Sequence, residues 1–415
     1  MAVLQNISGF DAALKEMYLP RLQSTVNKGR ILSEHLRREA GLTDATGRQA
    51  IVPVNLRGSE AMGARGDGEA LPAPQAQVFE PVKIGYKYNY ATVRLTHPVI
   101  VSSKNDKGSF VRAVSAEFDG IRRDLQNDVN RQWFGDGTGV IGRASNANTS
   151  SDGVDLTVDL GHKIKPNMFI DSNASKAGTT SHADQMSGEQ VASVDADGVT
   201  ITLVTDGGQW RDDDYIFRKG SAGNEMMGLL GIVDNGQASQ GADGAYVETL
   251  FNISRNTYTE WRSRVNHNSG TARAISETIL DDAILDCQEA SEGETDLIIS
   301  SARQYRKASH ILTGDRRYTP SMRLRGGFTA LDWGGIPFVW DRDCPIDSGG
   351  DHMLFGLDMD DLMLLELQDW DFDDTDGSVL HRRADYAYYD ATLFYYGQLG
   401  CLAPDDQFVI RDLSA

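Results

Sequence analysis

The stretch NDKGSFVRAVSAEFDGIRRDLQNDVNRQWFGDGTG, from Asn105 to Gly139, has the pattern of one long amphipathic helix. Its apolar residues recur every three or four positions, which is the spacing that places side chains on one helical face. The stripe consists of Phe110, Val114, Phe118, Ile121, Leu125, Val129 and Trp133, and the other faces carry Arg112, Glu117, Arg122, Arg123, Asp124, Asp128 and Arg131. We therefore predict a helix from Ser109 to Phe134, about 39 Å long, that acts as a structural spine.

A two-stranded arm is predicted immediately before this helix. Apolar and polar residues alternate from Val82 to Ala91, which indicates one strand with a single apolar face. Its partner is expected between Gly47 and Arg57. The segment between them, Gly58 to Gln77, is rich in Gly, Ala, Pro and charged residues and offers little to bury. We expect that segment to project from the body as a loop.

The remaining chain predicts elements of both types, and hence an α+β fold. Residues Gly9 to Glu39 form a mainly helical N-terminal arm in this prediction. Short strand candidates then indicate a small β-barrel or β-sandwich, and they are Asp152 to Asp159, Asn167 to Asp171, Gln190 to Val194 and Gly198 to Thr205. A strand from Asp296 to Ser301 is flanked by two predicted helices, Ile275 to Ala290 and Arg303 to Thr313.

The order of arm, projecting hairpin and long helix resembles the major capsid proteins of tailed phages with the HK97 fold. Three later segments resemble the closing part of such proteins: GGIPFVWDRDCP (Gly334 to Pro345), MLFGLDMDDLMLLEL (Met353 to Leu367) and GSVLHRRADYAYYDATLFYYGQLGCLAPDDQFVIRDL (Gly377 to Leu413). The resemblance implies an N-terminal arm, an extended loop, a spine helix, and peripheral and axial domains. We interpret the β-rich region as an additional, inserted domain.

On this basis the chain divides into six parts. They are an N-terminal arm (1–46), the extended loop (47–95), a peripheral-domain strand with the spine helix (96–140), the inserted β-rich domain (141–223), a mainly axial domain with peripheral segments (224–375), and C-terminal peripheral-domain strands (376–415).

Composition limits the possible functions. The chain has 415 residues and a net charge of −20, which argues against a sequence-reading nucleic-acid binder but is compatible with a container for DNA. Three cysteines without CxxC spacing, Cys287, Cys344 and Cys401, favour reduced thiols. The sequence contains no apolar run long enough to span a bilayer and no signal peptide at its start, so we expect neither export nor membrane insertion.

Charged side chains on exposed segments are the candidates for contacts between subunits. On the projecting arm these are Arg57, Glu60, Arg65, Asp67, Glu69, Lys83 and Lys87, and elsewhere they are Arg37, Arg38, Arg316 and Arg317. The last two belong to a basic cluster that also contains Arg303, Arg306, Lys307, Arg323 and Arg325. This cluster could face acidic segments of a neighbouring subunit, or it could be an ordinary solvated face.

Motifs for catalysis and cofactor binding are missing from the sequence. It contains no GxxxxGK[ST] phosphate loop, no HExxH and no GxSxG, so we expect no cofactor and no catalytic residues. The weak metal candidate is the carboxylate run Asp369, Asp371, Asp373, Asp374 and Asp376. This run misses the EF-hand spacing, and a solvated acidic loop is the alternative.

The resemblance implies a non-enzymatic protein that self-assembles as hexamers and pentamers into an icosahedral or prolate shell. The shell would enclose double-stranded DNA without sequence specificity, be assembled in the host cytoplasm and end in the virion. Further implied partners are portal, scaffolding and decoration proteins, and the short segment before the loop favours a separate scaffolding protein or none. Some members of the family join a loop Lys to a peripheral-domain Asn, but the last asparagine here is Asn268, so we predict no such isopeptide bond. The alternatives are an encapsulin-like bacterial compartment and an Asp-rich metal-dependent hydrolase.

Overall fold

A computed structural model of the chain describes most of its length. The described residues are 32, 37–38, 48–97, 107–148, 155–159, 163–179, 185–195, 198–204, 209–237, 247–291, 293–315, 321–323, 329–346, 350–374, 377–382 and 387–414. The predicted helical arm from Gly9 to Glu39 lies outside these residues except for Leu32, which is buried, and strand β1 (Arg37–Arg38).

The predicted arm is a β-hairpin of β2 (Gln49–Arg57) and β3 (Val78–Gly85), paired antiparallel from Gln49 opposite Gly85 to Arg57 opposite Val78. The prediction of one strand from Val82 to Ala91 was wrong, because pairing breaks at Tyr86 and a new strand, β4 (Lys87–Thr96), follows. β3 pairs with β2, whereas β4 pairs with a C-terminal strand. The apolar alternation continues across the break, so periodicity alone could not reveal the change of partner.

The long helix is confirmed as α1 (Lys107–Trp133), within two residues of the predicted ends. Phe118, Leu125, Val129 and Trp133 of the predicted stripe are buried. Polar residues occupy the other faces of the helix, as the sequence shows, but several of them are not exposed to solvent. Arg122, Gln126, Asn130, Arg131 and Gln132 are also buried, because other segments of the chain pack against the C-terminal half of this helix.

The β-rich region forms a closed six-stranded barrel in the order β10-β5-β6-β9-β8-β7. Its strands are β5 (Val140–Ala144), β6 (Asp155–Asp159), β7 (Phe169–Asn173), β8 (Ser187–Val194), β9 (Thr200–Leu203) and β10 (Tyr215–Arg218). Four of them overlap the strand predictions, and β5 and β10 were missed. The barrel encloses its own apolar core, which includes Ile141, Leu156, Ile170 and Trp210.

A short connecting region leads from the barrel to the C-terminal half. It contains α2 (Leu229–Ile232), the small hairpin of β11 (Thr249–Leu250) and β12 (Ile253–Ser254), and a 3-10 turn, Thr259–Trp261. Trp261 is buried in the main core. This region lies against the β2–β3 hairpin, as described below.

Two larger sheets complete the fold. The first has seven strands in the order β13-β22-β18-β14-β17-β16-β15 and packs with helices α3 (Glu277–Ala290) and α4 (Ala302–Asp315). Its strands are β13 (Arg264–Asn266), β14 (Leu297–Ser300), β15 (Ser321–Arg323), β16 (Thr329–Trp333), β17 (Ile336–Trp340), β18 (His352–Leu357) and β22 (Phe408–Leu413). Both helices and β14 agree with the sequence prediction.

The second sheet combines β1 and β4 with β19 (Leu362–Phe372), β20 (His381–Arg382) and β21 (Tyr388–Cys401). Among the described elements, the chain passes directly from one sheet to the other twice, from β18 to β19 and from β21 to β22. One apolar core joins α1, the hairpin and both sheets. Within the described residues, no helix is long and apolar enough to cross a membrane.

Candidate assembly surfaces

The loop at the end of the β2–β3 hairpin is the most exposed apolar feature among the described residues. Met62 and Leu71 are 77% and 85% exposed, and no other large hydrophobic side chain of the described chain exceeds these values. Almost every residue from Gly58 to Gln77 is exposed, as the sequence predicted for a projecting loop. Exposed apolar side chains gathered on one projection are typical of an interaction surface.

The hairpin strands have one buried and one exposed face. Ala50, Leu56, Val82 and Ile84 point into the core, as the period of two requires. On the opposite face, Ile51 and Phe79 are exposed. Pro53 and Pro81 are direct cross-strand partners on that face and cannot donate backbone hydrogen bonds to a further strand. The hairpin therefore offers side-chain contacts rather than strand pairing at this point.

A polar clamp holds both hairpin strands against the connecting region. Arg57 of β2 donates to Glu260 at 2.7 and 3.1 Å and lies over the Tyr258 ring. The Tyr258 hydroxyl donates to Glu80 of β3 at 2.7 Å. The hydrogen bond to Arg57 lowers the pKa of Glu260, and the hydrogen bond to Glu80 raises the pKa of Tyr258. Only the loop beyond Arg57 extends past this clamp.

The structure separates the other predicted contact residues into distinct environments. Glu60, Arg65 and Asp67 lie exposed in the loop, and Glu69 accepts a hydrogen bond from the Gly66 amide at 2.9 Å. Arg57 already has the partners in its own chain described above. Because these loop residues project farthest, they are the members of the predicted set best placed to reach another molecule.

The two lysines of the arm are less available for contacts with another subunit than the sequence suggested. The backbone amide of Lys83 donates to the Phe251 carbonyl at 3.0 Å, and its side chain is half-buried. The Lys87 ammonium donates to the Gly223 carbonyl at 2.8 Å, and burial lowers its pKa.

The remaining basic candidates are only partly described. Arg37 and Arg38 pair through their backbone with Met363 and Leu364 of β19. Arg316 and Arg317 lie outside the described residues. Of their cluster, Arg303 and Arg306 are exposed on α4, and Lys307 donates to the Ser414 carbonyl at 2.8 Å.

A large cleft of about 1240 Å³ opens beside the start of β4. Its walls are contributed by α1, by the end of β10 with the turn after it, and by the β11–β12 hairpin. The lining residues include Tyr88, Asn89, Tyr90, Ile121, Asp124, Asp128, Arg218, Lys219, Phe251 and Gln398. No motif in the sequence indicated this cleft, because its walls come from segments far apart in the chain.

Aromatic rings extend from the cleft across the face of the second sheet. Tyr88 meets Tyr396 edge-on at 5.0 Å between ring centroids, and Tyr90 meets Phe394 at 5.6 Å. Both pairs are direct cross-strand neighbours of β4 and β21. Burial, with a hydrogen bond to Tyr90, raises the pKa of Tyr396 to about 12, so its hydroxyl stays protonated at neutral pH.

A buried charge network joins α1 to the segment after the barrel. Arg131 contacts Glu225 at 2.5 Å and Asp128 at 3.1 Å, and Arg218 of β10 also contacts Asp128 at 3.1 Å. Both cations lower the pKa of Asp128 despite its burial. Burial raises the pKa of Glu225 and outweighs the attraction of Arg131. These contacts fix the orientation of the barrel relative to the helix.

The described members of the predicted carboxylate run do not converge into a group that could hold a metal ion. Asp369 and Asp371 lie in β19, Asp373 and Asp374 follow it, and Asp376 lies outside the described residues. In the part of the chain that the structure describes, three other carboxylates converge within 4.8 Å of one another, namely Asp358, Asp361 and Asp406.

This converging group lies where the chain crosses between the two sheets. Burial, a hydrogen bond to Asp406 and the charge of Asp358 raise the pKa of Asp361 to about 7. Burial and Asp406 raise the pKa of the neighbouring Asp405 to about 6. Asp361 is therefore partly protonated at neutral pH.

The clamped hairpin, the long helix and the two linked sheets together make the fold of an HK97-like phage capsid protein, which confirms the resemblance found in the sequence at the level of the fold. The structure is similar to the capsid asymmetric unit of cyanophage A-1(L), with a TM-score of 0.55, 13% identity, and coverage of 92% of this chain and 91% of that chain. The comparison does not rest on sequence, because no family model matches the chain and no curated protein matches it.

Two further solved structures have lower scores. The capsid of Myoviridae phage XM1 has 7% identity and a TM-score of 0.48, with coverage of 92% of this chain and 91% of that chain. The holo-SrpI encapsulin complex from Synechococcus elongatus PCC 7942 has 9% identity and a TM-score of 0.42, with coverage of 92% and 87%.

Proposed function

We propose that this chain is the major capsid protein of a tailed phage and that it assembles as hexamers and pentamers into the shell around a double-stranded DNA genome. The observation that carries the proposal is the exposed hairpin loop on a capsid-protein fold. Two large apolar side chains that are exposed to water on a projecting loop do not stabilise a monomer. A neighbouring subunit that covers them gains about 1.5–3 kcal/mol for each side chain that becomes fully buried.

In this proposal the hairpin is the extended loop and α1 is the spine helix. The sheet that contains β4, β19 and β21 belongs to the peripheral domain, and the seven-stranded sheet with α3 and α4 belongs mainly to the axial domain. The barrel is the inserted domain. The N-terminal arm binds further neighbours, as part of the same assembly in the host cytoplasm.

Stabilisation of the shell is non-covalent in this proposal. The ammonium group of Lys87 is engaged with Gly223 in its own chain, and no asparagine follows Asn268 to accept an isopeptide bond. Contacts of a few kcal/mol suffice, because each subunit of a closed shell repeats them with every neighbour.

The excess of acidic over basic residues in the chain supports a protein that encloses DNA rather than one that binds it tightly. A net charge of −20 would repel phosphate groups, so packaged DNA would slide along the wall instead of being gripped. Nucleic acid inside purified particles would agree with this proposal, whereas a protein cargo would indicate an encapsulin-like compartment.

The test removes the exposed apolar side chains of the loop. We expect Met62→Ser with Leu71→Ser to raise the concentration needed for assembly on the order of a hundredfold, because at least about 3 kcal/mol of burial is lost. Leu285→Ser is the matched control, since Leu285 is an exposed apolar residue on α3, away from the hairpin. Sedimentation velocity measures both. Equal assembly by the two variants would contradict the proposed role of the loop.

A further inference from the structure

Helix α4 begins at the carboxyl end of two parallel strands of the seven-stranded sheet. β14 and β17 are adjacent and parallel, and their paired residues end at Ser300 opposite Trp340. A single residue, Ser301, connects β14 to α4. In open α/β sheets, ligands bind in the crevice at the carboxyl ends of the strands, and the N-terminus of a helix placed there favours an anion. The position of α4 matches that arrangement.

The first turn of α4 has backbone N–H groups without acceptors. No α-helix supplies carbonyl partners to its first N–H groups. The Tyr305 amide donates to the Ser301 carbonyl at 3.0 Å. Among the described residues, no atom accepts a hydrogen bond from the amides of Ala302, Arg303 or Gln304. These three donors are therefore available to a ligand.

Two buried polar side chains beside this turn also lack hydrogen-bond partners. Ser301, at the position that normally caps a helix, is 6% exposed, and its hydroxyl has no partner. His352, the first residue of β18, is 4% exposed, and its Nδ1 has no partner. Buried polar groups are nearly always paired in native proteins. Their lack of partners indicates that a polar ligand completes this part of the fold.

Strand register places His352 on the sheet face that α4 covers. Leu354 of β18 pairs with Ser300 of β14, and it belongs to the same apolar core as Ala308 and Leu312 of α4. Alternate residues of a strand point to the same face. His352 therefore lies on the face of Leu354, one step nearer to the point where α4 begins.

The charges that act on His352 are positive. Burial, together with the charges of Arg303 and Lys307, lowers the pKa of His352. Lys307 is already engaged, because its ammonium group donates to the Ser414 carbonyl at 2.8 Å. Arg303 is exposed and makes no ion pair with any other described residue. A site with this excess of positive charge favours an anion.

We propose that the first turn of α4 binds a phosphate group. The free backbone amides of the turn donate to its oxygens, together with the Ser301 hydroxyl. The Arg303 guanidinium donates from the solvent side and balances the charge, and His352 donates from the sheet side through its Nδ1–H. Phosphate is suited to this set of donors, because each of its oxygens accepts more than one hydrogen bond. The site involves none of the loop residues, so the inference does not depend on the proposed assembly.

Two sources could supply this phosphate group. Trp340, opposite Ser300 at the end of β17, is 46% exposed. An exposed aromatic ring can stack on a nucleic-acid base. Inorganic phosphate and a nucleoside monophosphate both carry the group that the turn recognises, and only the nucleotide gains a contact with Trp340.

Titration calorimetry of the full chain tests the site, with sodium phosphate compared against sodium chloride at equal ionic strength. We expect binding of phosphate and none of chloride. Arg303→Gln should weaken phosphate binding roughly tenfold, because it removes a charged hydrogen bond. Arg211→Gln is the matched control, since it removes the same charge from an exposed position near the barrel and should leave the affinity unchanged.

Ser301→Ala separates binding from a purely structural role. The Ser301 hydroxyl has no partner within the described chain, so its removal should leave the melting temperature in chloride unchanged. The same variant should bind phosphate several-fold more weakly. A lower melting temperature in chloride, with unchanged phosphate binding, would show that Ser301 only caps the helix and would overturn its assignment to the site.

A titration with deoxyadenosine monophosphate identifies the source. Tighter binding than inorganic phosphate, lost again in Trp340→Ala, would support the site with a nucleotide as its ligand. Equal or weaker binding would support the site with inorganic phosphate as its ligand. Failure of the wild-type chain to bind either one would overturn the inference, as would equal phosphate affinities of Arg303→Gln and Arg211→Gln.

Discussion

Replacement of Arg131, a buried residue of α1 that contacts Glu225 after the barrel, should destabilise the protein strongly. Arg131 is 9% exposed and Glu225 is 6% exposed, and they are in contact at 2.5 Å. Arg131→Met removes the cation in direct contact with the buried Glu225 carboxylate and takes one of two cations from Asp128. Breaking a buried ion pair from one side costs about 3–5 kcal/mol. We expect a loss of that size in the free energy of unfolding.

Two further variants separate this effect from general damage. Arg131→Met/Glu225→Leu removes both charges, and Asp128 keeps its contact with Arg218, so most of the lost stability should return. Arg94→Met is the control, because it breaks an ion pair with Asp390 in which the Arg94 side chain is 51% exposed. It should lower the free energy of unfolding by less than about 1 kcal/mol.

The assay is denaturant unfolding of the unassembled subunit, followed by tryptophan fluorescence. Trp133 at the end of α1 and Trp210 in the barrel report on the two sides of the joint. The reasoning fails if Arg131→Met costs no more than Arg94→Met. It also fails if the double variant is as unstable as the single one, because the penalty would then not come from an uncompensated charge.

Three further predictions follow from the structure. The pKa of Asp361 is about 7 in the folded protein and about 4 in an unfolded chain. Between about pH 4 and about pH 7 the folded state therefore binds more protons than the unfolded state, and the free energy of unfolding should fall as the pH rises through this range. Asp361→Asn should flatten that dependence in unfolding curves recorded from pH 4.5 to 7.5, and an unchanged slope would contradict the assignment. Gly356→Ala should cost at least about 1–3 kcal/mol, because a Cβ would lie 2.0 Å from a Phe408 ring atom, and wild-type stability in thermal unfolding would refute the clash. Mature particles on a denaturing gel should run as monomers, since no asparagine follows Asn268, whereas a covalent ladder without any added cross-linker would disprove non-covalent stabilisation.

Local periodicity was sufficient to predict α1, the projecting hairpin loop and most barrel strands. In each case the decisive residues lie within one segment: the helix and the strands show a periodic apolar face, and the loop shows a composition with little to bury. The two missed strands, β5 (VIGRA) and β10 (YIFR), do not alternate between apolar and polar residues, so a period of two does not mark them.

Features that depend on distant contacts could not be predicted in this way. Arg57 and Glu260 are separated by 203 positions, and nothing in either segment indicates their pairing. The run from Met353 to Leu367 has the pattern of one strand, yet it crosses between sheets at Asp358 to Asp361. Buried polar residues on α1, such as Arg131, resemble solvent-facing residues until the segment that covers them is known.

Assembly itself is the central claim, and negative-stain electron microscopy of the protein expressed alone tests it most directly, with sedimentation to size what forms. We predict closed shells, tubes or rings of capsomers. A homogeneous monomer that remains monomeric even with a scaffolding partner would contradict the proposal that this chain builds a capsid.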